Sequence, residues 1–298
     1  MHIEYRVTND NNNQKVSQIL RNHLKFSRGE VRRIKTCDGL MVNDQTVRLN
    51  SLVKEGDLIR VDFQEDEDQP VIPQDMPLNI LFEDDHILVV NKPCNMLMHP
   101  LSYHILNTLA NGVIYHWQQQ GYNSKFRSVG RLDKDTSGVI LIAKSSYICH
   151  QITDQMKNGM CRKEYLAVVH NEITMDSGII DSPIGRLDDG SLIFGVTPQG
   201  KEAITHFTVI ERFASGTLVK LRIETGRTHQ IRVHMRHLGH PLMGDELYGG
   251  SLDLIHRQAL HSWHLEFNHP VTKEHVKLES PLPADMTALI HKLTKRLF

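Results

Sequence analysis

The spacing of apolar residues changes period several times along this chain, and each change predicts an element. Val16, Ile19, Leu20 and Leu24 recur three and four residues apart, which places them on one face of a helix. Ser27-Arg28-Gly29-Glu30 has the capping-box order that opens a second helix, with Val31 and Ile34 inward and Arg28, Arg32 and Lys35 on one outward face. Leu40-Met41-Val42, a turn at Asn43-Asp44, and a closing strand from Asp57 to Phe63 behind Glu55-Gly56 complete a small unit. After residue 76 the pattern predicts strands over 79–83, 87–92, 138–144, 165–169, 205–210, 218–224, 260–267 and 276–279, with helices over 146–158, 228–238 and 285–297. In the strand 218–224, Val219, Leu221 and Ile223 alternate with Lys220, Arg222 and Glu224, the pattern of a half-buried sheet whose polar face can floor a cleft. These elements imply an α+β fold with a large mixed or antiparallel sheet.

Charge divides the chain. The stretch 64–75, QEDEDQPVIPQD, is acidic, holds two prolines and has no periodicity, so it reads as a linker between a domain over 1–63 and a larger one over 76–298. The formal net charge of −1 argues against a protein that coats nucleic acid indiscriminately. Between Lys15 and Cys37, however, seven cations (among them Arg28, Arg32, Arg33 and Lys35) face one acid, Glu30, which suits a phosphate backbone. At 298 residues, 40% hydrophobic and 23% charged, the composition is that of a globular protein. No stretch approaches the length of a membrane span and the first residues lack a secretory apolar core, so a cytoplasmic protein without a membrane partner is expected. Cys37, Cys94, Cys149 and Cys161 form no C-x-x-C pair. His229, His234, His237 and His240 gather in one segment without H-E-x-x-H. Hydrogen bonds or phosphate contacts are therefore expected there, and no metal.

The stretch RSVGRLDKDTSGVILIAK, residues 127–144, sets Arg131, Asp133, Lys134 and Asp135 directly before a β-branched run. Gly138 and Lys144 bound that run, which reads as a fully buried strand, so the charges sit at the mouth of the core. A carboxylate at a sheet edge can be held in one orientation and partly desolvated, as catalysis requires. Ordinary turn chemistry and solvated charge explain the same residues on this stretch alone.

Two resemblances extend this reading. The segment from Lys15 to Val61, with its S-R-x-x-V-R-x-I helix and E-G-D-x-I strand, resembles the small RNA-binding domain named after ribosomal small-subunit protein S-four. The blocks NKPCNMLMHP (91–100), VGRLDKDTSG (129–138), RKEYLAVV (162–169) and ETGRTHQIRVHMRHLGHPLMGDELYG (224–249) resemble the pseudouridine synthases of the RluA/RluD group, a likeness covering residues 76–286. It implies isomerisation of uridine in structured RNA without cofactor or metal. A monomer is expected. Large-subunit ribosomal RNA is the first expected substrate and transfer RNA the second.

By this resemblance Asp133 is the catalytic aspartate, Tyr165 the active-site tyrosine and Arg232 a bidentate partner of the carboxylate. The Tyr165 ring would stack on uracil and its hydroxyl could accept the C5 proton. The helix over 228–238 is expected to present Arg232, His229 and Arg236 on one exposed face. Arg131 is expected to fill the space of a flipped-out base. Thr136, Lys163, Arg227 and His229 are expected substrate or RNA contacts. Gly130 and Cys94-Asn95 depart from the pattern, where His and Ala-Gly are usual. Two rival readings are a non-catalytic RNA-binding protein on the same scaffold and a nucleoside glycosidase using Asp133 with Asp135.

Overall fold

A computed structural model describes residues 2–36, 39–62, 71–187 and 193–295; most of the acidic stretch 64–75 lies outside it, as do the side chains of His2, Lys35 and Thr36. The first layer contains β1 (His2–Arg6), α1 (Val16–Asn22), α2 (Arg28–Thr36), β2 (Leu40–Val42), β3 (Gln45–Thr46) and β4 (Leu58–Asp62). Its antiparallel sheet runs β1-β4-β2-β3. The capping box forms: the Glu30 amide donates to Ser27 Oγ at 3.2 Å, and the Ser27 amide donates to Glu30 Oε2 at 2.7 Å. Asn43 and Asp44 both take positive φ, 50° and 64°, which gives the two-residue turn a twist matching its flanking strands.

The second layer contains β5 (Ile80–Glu83), β6 (Ile87–Lys92), α3 (Leu109–Gln119), β7 (Arg127–Ser128), β8 (Ser137–Ala143), α4 (Ser146–Lys157) and β9 (Arg162–His170). It continues through β10 (Ser177–Asp181), β11 (Ile184–Arg186), β12 (Phe194–Val196), β13 (Ile204–Phe213), β14 (Gly216–Ile223), α5 (Gln230–His237), β15 (Leu260–Asn268), β16 (His275–Glu279) and α6 (Ala284–Lys295). A ten-stranded sheet follows the order β10-β13-β14-β9-β15-β8-β6-β5, with β16 on β15 and β7 on β8. Only the β15–β8 pairing is parallel among the described strands, so the sheet is mixed and the fold is α+β.

Strand β8 is buried along its whole length because both faces of the sheet are covered. Ile140 and Ile142 enter the cluster holding Tyr165 and Leu221, while Val139 and Leu141 enter the cluster holding Ile148 and Ile152 of α4. Gly138, at φ 113°, marks the close approach of β8 to β15: a Cβ there would stand 2.1 Å from the Ser262 carbonyl oxygen.

Sequence pattern does not reveal α3, because Asn111-Gly112 reads as a turn. Tertiary contacts override it. Leu109, Val113, Ile114 and Trp117 are buried, and the Asn111 amide group donates to the carbonyls of Ile72 and Ile105 at 2.7 and 3.0 Å.

The two layers meet at α4. The Tyr147 hydroxyl donates to the Leu24 carbonyl at 2.9 Å, and Gln151 Nε2 donates to the carbonyls of Leu24 and Lys25 at 3.2 Å each. The rings of Phe26 and Tyr147 pack 4.5 Å apart, and one buried cluster runs from Ile34 and Val16 through to Ile148 and Ile152. Among the described residues, no helix is long and apolar enough to cross a membrane.

Candidate active site

The stretch from Gly130 to Thr136 joins β7 to β8 at the end of the buried sheet. Three successive carbonyls of this loop are each held. That of Asp133 accepts from the Thr136 amide at 3.2 Å. That of Lys134 accepts from the Met96 amide at 3.1 Å and from Lys92 Nζ at 3.0 Å. That of Asp135 accepts from Arg257 Nη1 at 3.0 Å.

Lys92 is fully buried, and its ammonium also donates to the carbonyls of Pro93 and Met96, both at 2.9 Å. Burial lowers its pKa to about 8 against the pull of nearby Cys94, Asp135 and Asp133. The chain turns back over Lys92 because Asn95 takes φ 57°, a conformation that asparagine tolerates. Arg257 is clamped in turn by Asp285, the second residue of α6, through contacts of 2.6 and 3.0 Å.

The Asp133 side chain is 24% exposed and faces a cleft of about 660 Å³ lined also by Arg131, Tyr165, Arg227, His229 and Arg232. Arg232 Nη1 donates to Asp133 Oδ2 at 3.1 Å. The expected bidentate pairing is not with Asp133, however. Arg232 turns its fork on Asp245, with Nε to Oδ2 at 2.7 Å and Nη2 to Oδ1 at 2.8 Å, and its guanidinium lies 4.8 Å from the Tyr248 ring centre. The expectation of an exposed cationic face is likewise corrected: Arg232 is buried, because a guanidinium with two carboxylates and an aromatic face can leave water, and only Arg236 of the pair stands exposed.

His229 precedes α5 in a left-handed conformation, φ 55°, which swings its ring into the cleft. Its Nδ1 meets the Tyr248 hydroxyl at 2.8 Å and its Nε2 lies 3.8 Å from Asp133 Oδ2. Burial lowers its pKa, with Asp133 opposing and Arg232 reinforcing that shift. Tyr165, on β9, is buried with a hydrogen bond to Ser262. Burial first, then the charge of Asp133, pushes its phenol well above the usual tyrosine range. A phenol so held stays protonated, so its resting role is ring packing and donation; accepting a C5 proton would first require losing its own.

Two further expected RNA contacts line the same cleft but are buried in its wall. Thr136 is 2% exposed and its hydroxyl accepts from Gln258 Nε2 at 3.3 Å, so it also braces the loop. Lys163 is also buried, donating to the Val129 carbonyl at 3.3 Å, and burial lowers its pKa, so it belongs to the cleft wall beneath Gly130. Arg131 stands exposed at the rim. Arg227 is half-buried, its Nε donating to the Glu202 carbonyl at 2.8 Å.

On α2, Arg28 and Arg32 are exposed, while half-buried Arg33 donates through Nη2 to Ser146 Oγ of α4 at 3.0 Å. The Lys35 side chain lies outside the described residues. Among the clustered histidines, His234 is buried between the Thr205 hydroxyl at 2.8 Å and the Ser182 carbonyl at 2.9 Å, and His240 meets the His170 carbonyl at 3.0 Å.

Asp245, Tyr248, Lys92 and Arg257 escape sequence reasoning as site residues. Lys92, Asp245 and Tyr248 sit inside the motif blocks, but their partners lie 42, 13 and 19 positions away and Arg257 reaches Asp135 across 122, spacings that leave no local pattern.

Comparison with known proteins adds a second line. Residues 86–237 match the family model described as RNA pseudouridylate synthase. The chain is 43% identical over 276 residues, covering 92% of this chain and 94% of the relative, to the uncharacterized RNA pseudouridine synthase YjbO of Bacillus subtilis (strain 168). It is 37% identical to the ribosomal large subunit pseudouridine synthase D of Xanthomonas campestris pv. campestris, covering 90% of this chain and 85% of that protein. Among solved structures, the human RNA pseudouridylate synthase domain containing 1 protein matches with a TM-score of 0.57 at 27% identity, covering 73% of this chain and 95% of that one.

Proposed function

Since the chain belongs to the RNA pseudouridylate synthase family and is an isomerase acting on RNA, we propose that Asp133 is its catalytic carboxylate and that its substrate is a uridine in large-subunit ribosomal RNA. The contact of Arg232 with Asp133 at 3.1 Å inside the cleft carries this reading. The reaction breaks the bond from uracil N1 to C1′ and forms one from C5 to C1′, with N1 gaining a proton and C5 losing one. No redox partner is needed.

Asp133 engages the ribose of the departing base, Arg232 fixes the carboxylate, and the Tyr165 ring packs against the retained uracil. A uridine inside folded RNA must leave its stack first, at a cost of a few kcal/mol. Arg131, exposed on the same loop two residues before Asp133, is suited to fill the vacated space with its flat guanidinium. The names of relatives such as the Xanthomonas enzyme support ribosomal RNA over transfer RNA. The N-terminal layer, with Arg28 and Arg32 outward, grips the RNA backbone in the manner of an S-four-type unit.

Asp133→Asn should lower tritium release from C5-tritiated RNA by at least about 10³-fold, the scale of losing a catalytic group, while RNA affinity in filter binding stays within about tenfold. Turnover that survives this substitution removes Asp133 from the mechanism. Mapping pseudouridines in cells lacking the chain identifies the RNA, and a missing site in transfer RNA alone would reject the ribosomal assignment.

A further inference from the structure

Helix α4 touches three things at once. Ile148 and Ile152 bury against the sheet, and Tyr147 and Gln151 bind the loop before α2. Thr153, Met156 and Lys157 line the cleft that contains Asp133. Ser146, His150, Thr153 and Lys157 follow one another at four-, three- and four-residue steps and therefore share one face of the helix.

None of those four is acidic, and all are at least partly exposed. Thr153 spends its hydroxyl proton on the Cys149 carbonyl at 2.6 Å, and the neighbouring acid, Asp154, accepts from Asn158 Nδ2 at 3.2 Å. At the first residue of this face, Arg33 of α2 is fixed to Ser146 Oγ at 3.0 Å. At the last, Lys157 stands exposed at the cleft. The docking of the N-terminal layer thus puts a cation from α2 and a cation from the cleft on a common line, with His150 between them.

We propose that this face of α4 is an RNA-backbone track, along which the phosphates of one strand run from Arg33 to Lys157 before the target nucleotide enters the cleft. The proposal rests on the reading above that the chain acts on structured RNA, and it adds where the RNA lies between the two layers. The twelve-residue helix spans about 18 Å at about 1.5 Å per residue.

The test is salt-dependent filter binding of the full chain to a hairpin RNA of about 20 base pairs, chosen without regard to its modification so that turnover is not required. Arg33→Ala and Lys157→Ala should each weaken binding about threefold to tenfold and lower the slope of log affinity against log salt by about 1. Together they should lower it by about 2. Lys292→Ala, at an exposed position of α6, should leave the slope at the wild-type value. A wild-type slope in either track variant, or an equal drop in Lys292→Ala, overturns the proposal. Asp133→Asn tests the catalytic reading separately, because hairpin binding reports on the track whether or not that carboxylate is the reacting group.

Discussion

The loop around Asp133 and the outward face of α2 both bring charge to a surface, but they are built in opposite ways. The loop leaves one carboxylate partly open and secures everything around it: three consecutive carbonyls are held, two of them by buried cations, and the side chain is held by an arginine that is itself held. On α2, Arg28 and Arg32 stand exposed on a short helix whose order comes from its cap and its apolar face. A catalytic group needs one geometry, within a few tenths of an ångström, whereas phosphate binding sums over many loosely placed charges. Damage to the first region should therefore be steep and specific, and damage to the second shallow and additive.

The steepest break short of Asp133 itself should come from Asp245→Asn. It keeps the shape but removes the charge beneath the fork of Arg232, leaving a buried guanidinium short of a partner. Losing one member of a buried pair costs about 3 to 5 kcal/mol of stability. Because Arg232 would be free to turn toward Asp133, turnover should fall about 10²-fold with KM changed by less than about threefold, the pattern of lost positioning. Denaturant titration alongside steady-state kinetics measures both effects. An unchanged turnover would show that Asp245 serves only folding.

Asp285→Asn makes the milder companion. Asp285 clamps Arg257, but its side chain is 40% exposed, so solvent can replace much of what is lost. Turnover should fall by less than about tenfold and stability by about 1 kcal/mol. If both variants lost turnover equally, the clamp on the Asp135 carbonyl would matter as much as the clamp on the side chain.

Lys92 separates activity from stability by pH. Its folded pKa of about 8 lies below the ordinary lysine value of 10.5, so between those values the unfolded chain binds the proton and the folded chain does not. The contribution of Lys92 to unfolding free energy therefore rises with pH across that window; its charge penalty is full below about 8 and relieved above. A neutral amine, however, has two protons for three carbonyls, so one contact in the loop is lost. Activity should accordingly fall above about pH 8 while the Lys92 term in stability does not. Lys92→Arg, which stays charged, should move that limb upward wherever the variant retains turnover. An alkaline limb unmoved in an active Lys92→Arg enzyme would assign the titration elsewhere.

How much of this was legible in sequence depends on whether a feature has a local cause. The capping box at Ser27 and Glu30, the buried run over β8, and the alternation over β14 are written in neighbouring residues, and the elements they predict form. Helix α3 carries a turn signal overruled by burial, and β10, β11 and β12 are short and each interrupted by a glycine, so they lack a period. At the site, the motif blocks marked Asp133, Tyr165, Arg131, Arg227, His229 and Arg232, which line one cleft. The partner of the Arg232 fork was not legible, because either Asp133 or Asp245 satisfies a guanidinium and only the fold ranks them. Thr136 and Lys163 line the same cleft but are buried in its wall, and each also braces the loop, a second role that a polar residue in a motif does not reveal.

The shallowest test sharpens the other side of the comparison, the way in which α2 is held against α4. Gln151 Nε2 donates to two carbonyls at 3.2 Å, and Lys25 can present one of them because its backbone takes φ 56°. Gln151→Glu replaces that donor with a carboxylate facing two acceptors, without touching the buried Phe26–Tyr147 contact or the cleft. The N-terminal layer should loosen, raising amide exchange across residues 24–33. RNA affinity should fall only about threefold, because the loosened layer stays covalently linked and still contributes its cations at high effective concentration. Turnover at saturating RNA should match the wild type, since nothing that holds Asp133 has moved. Faster exchange with unchanged affinity would mean that α2 contributes charge alone and that its placement on α4 carries no weight in binding.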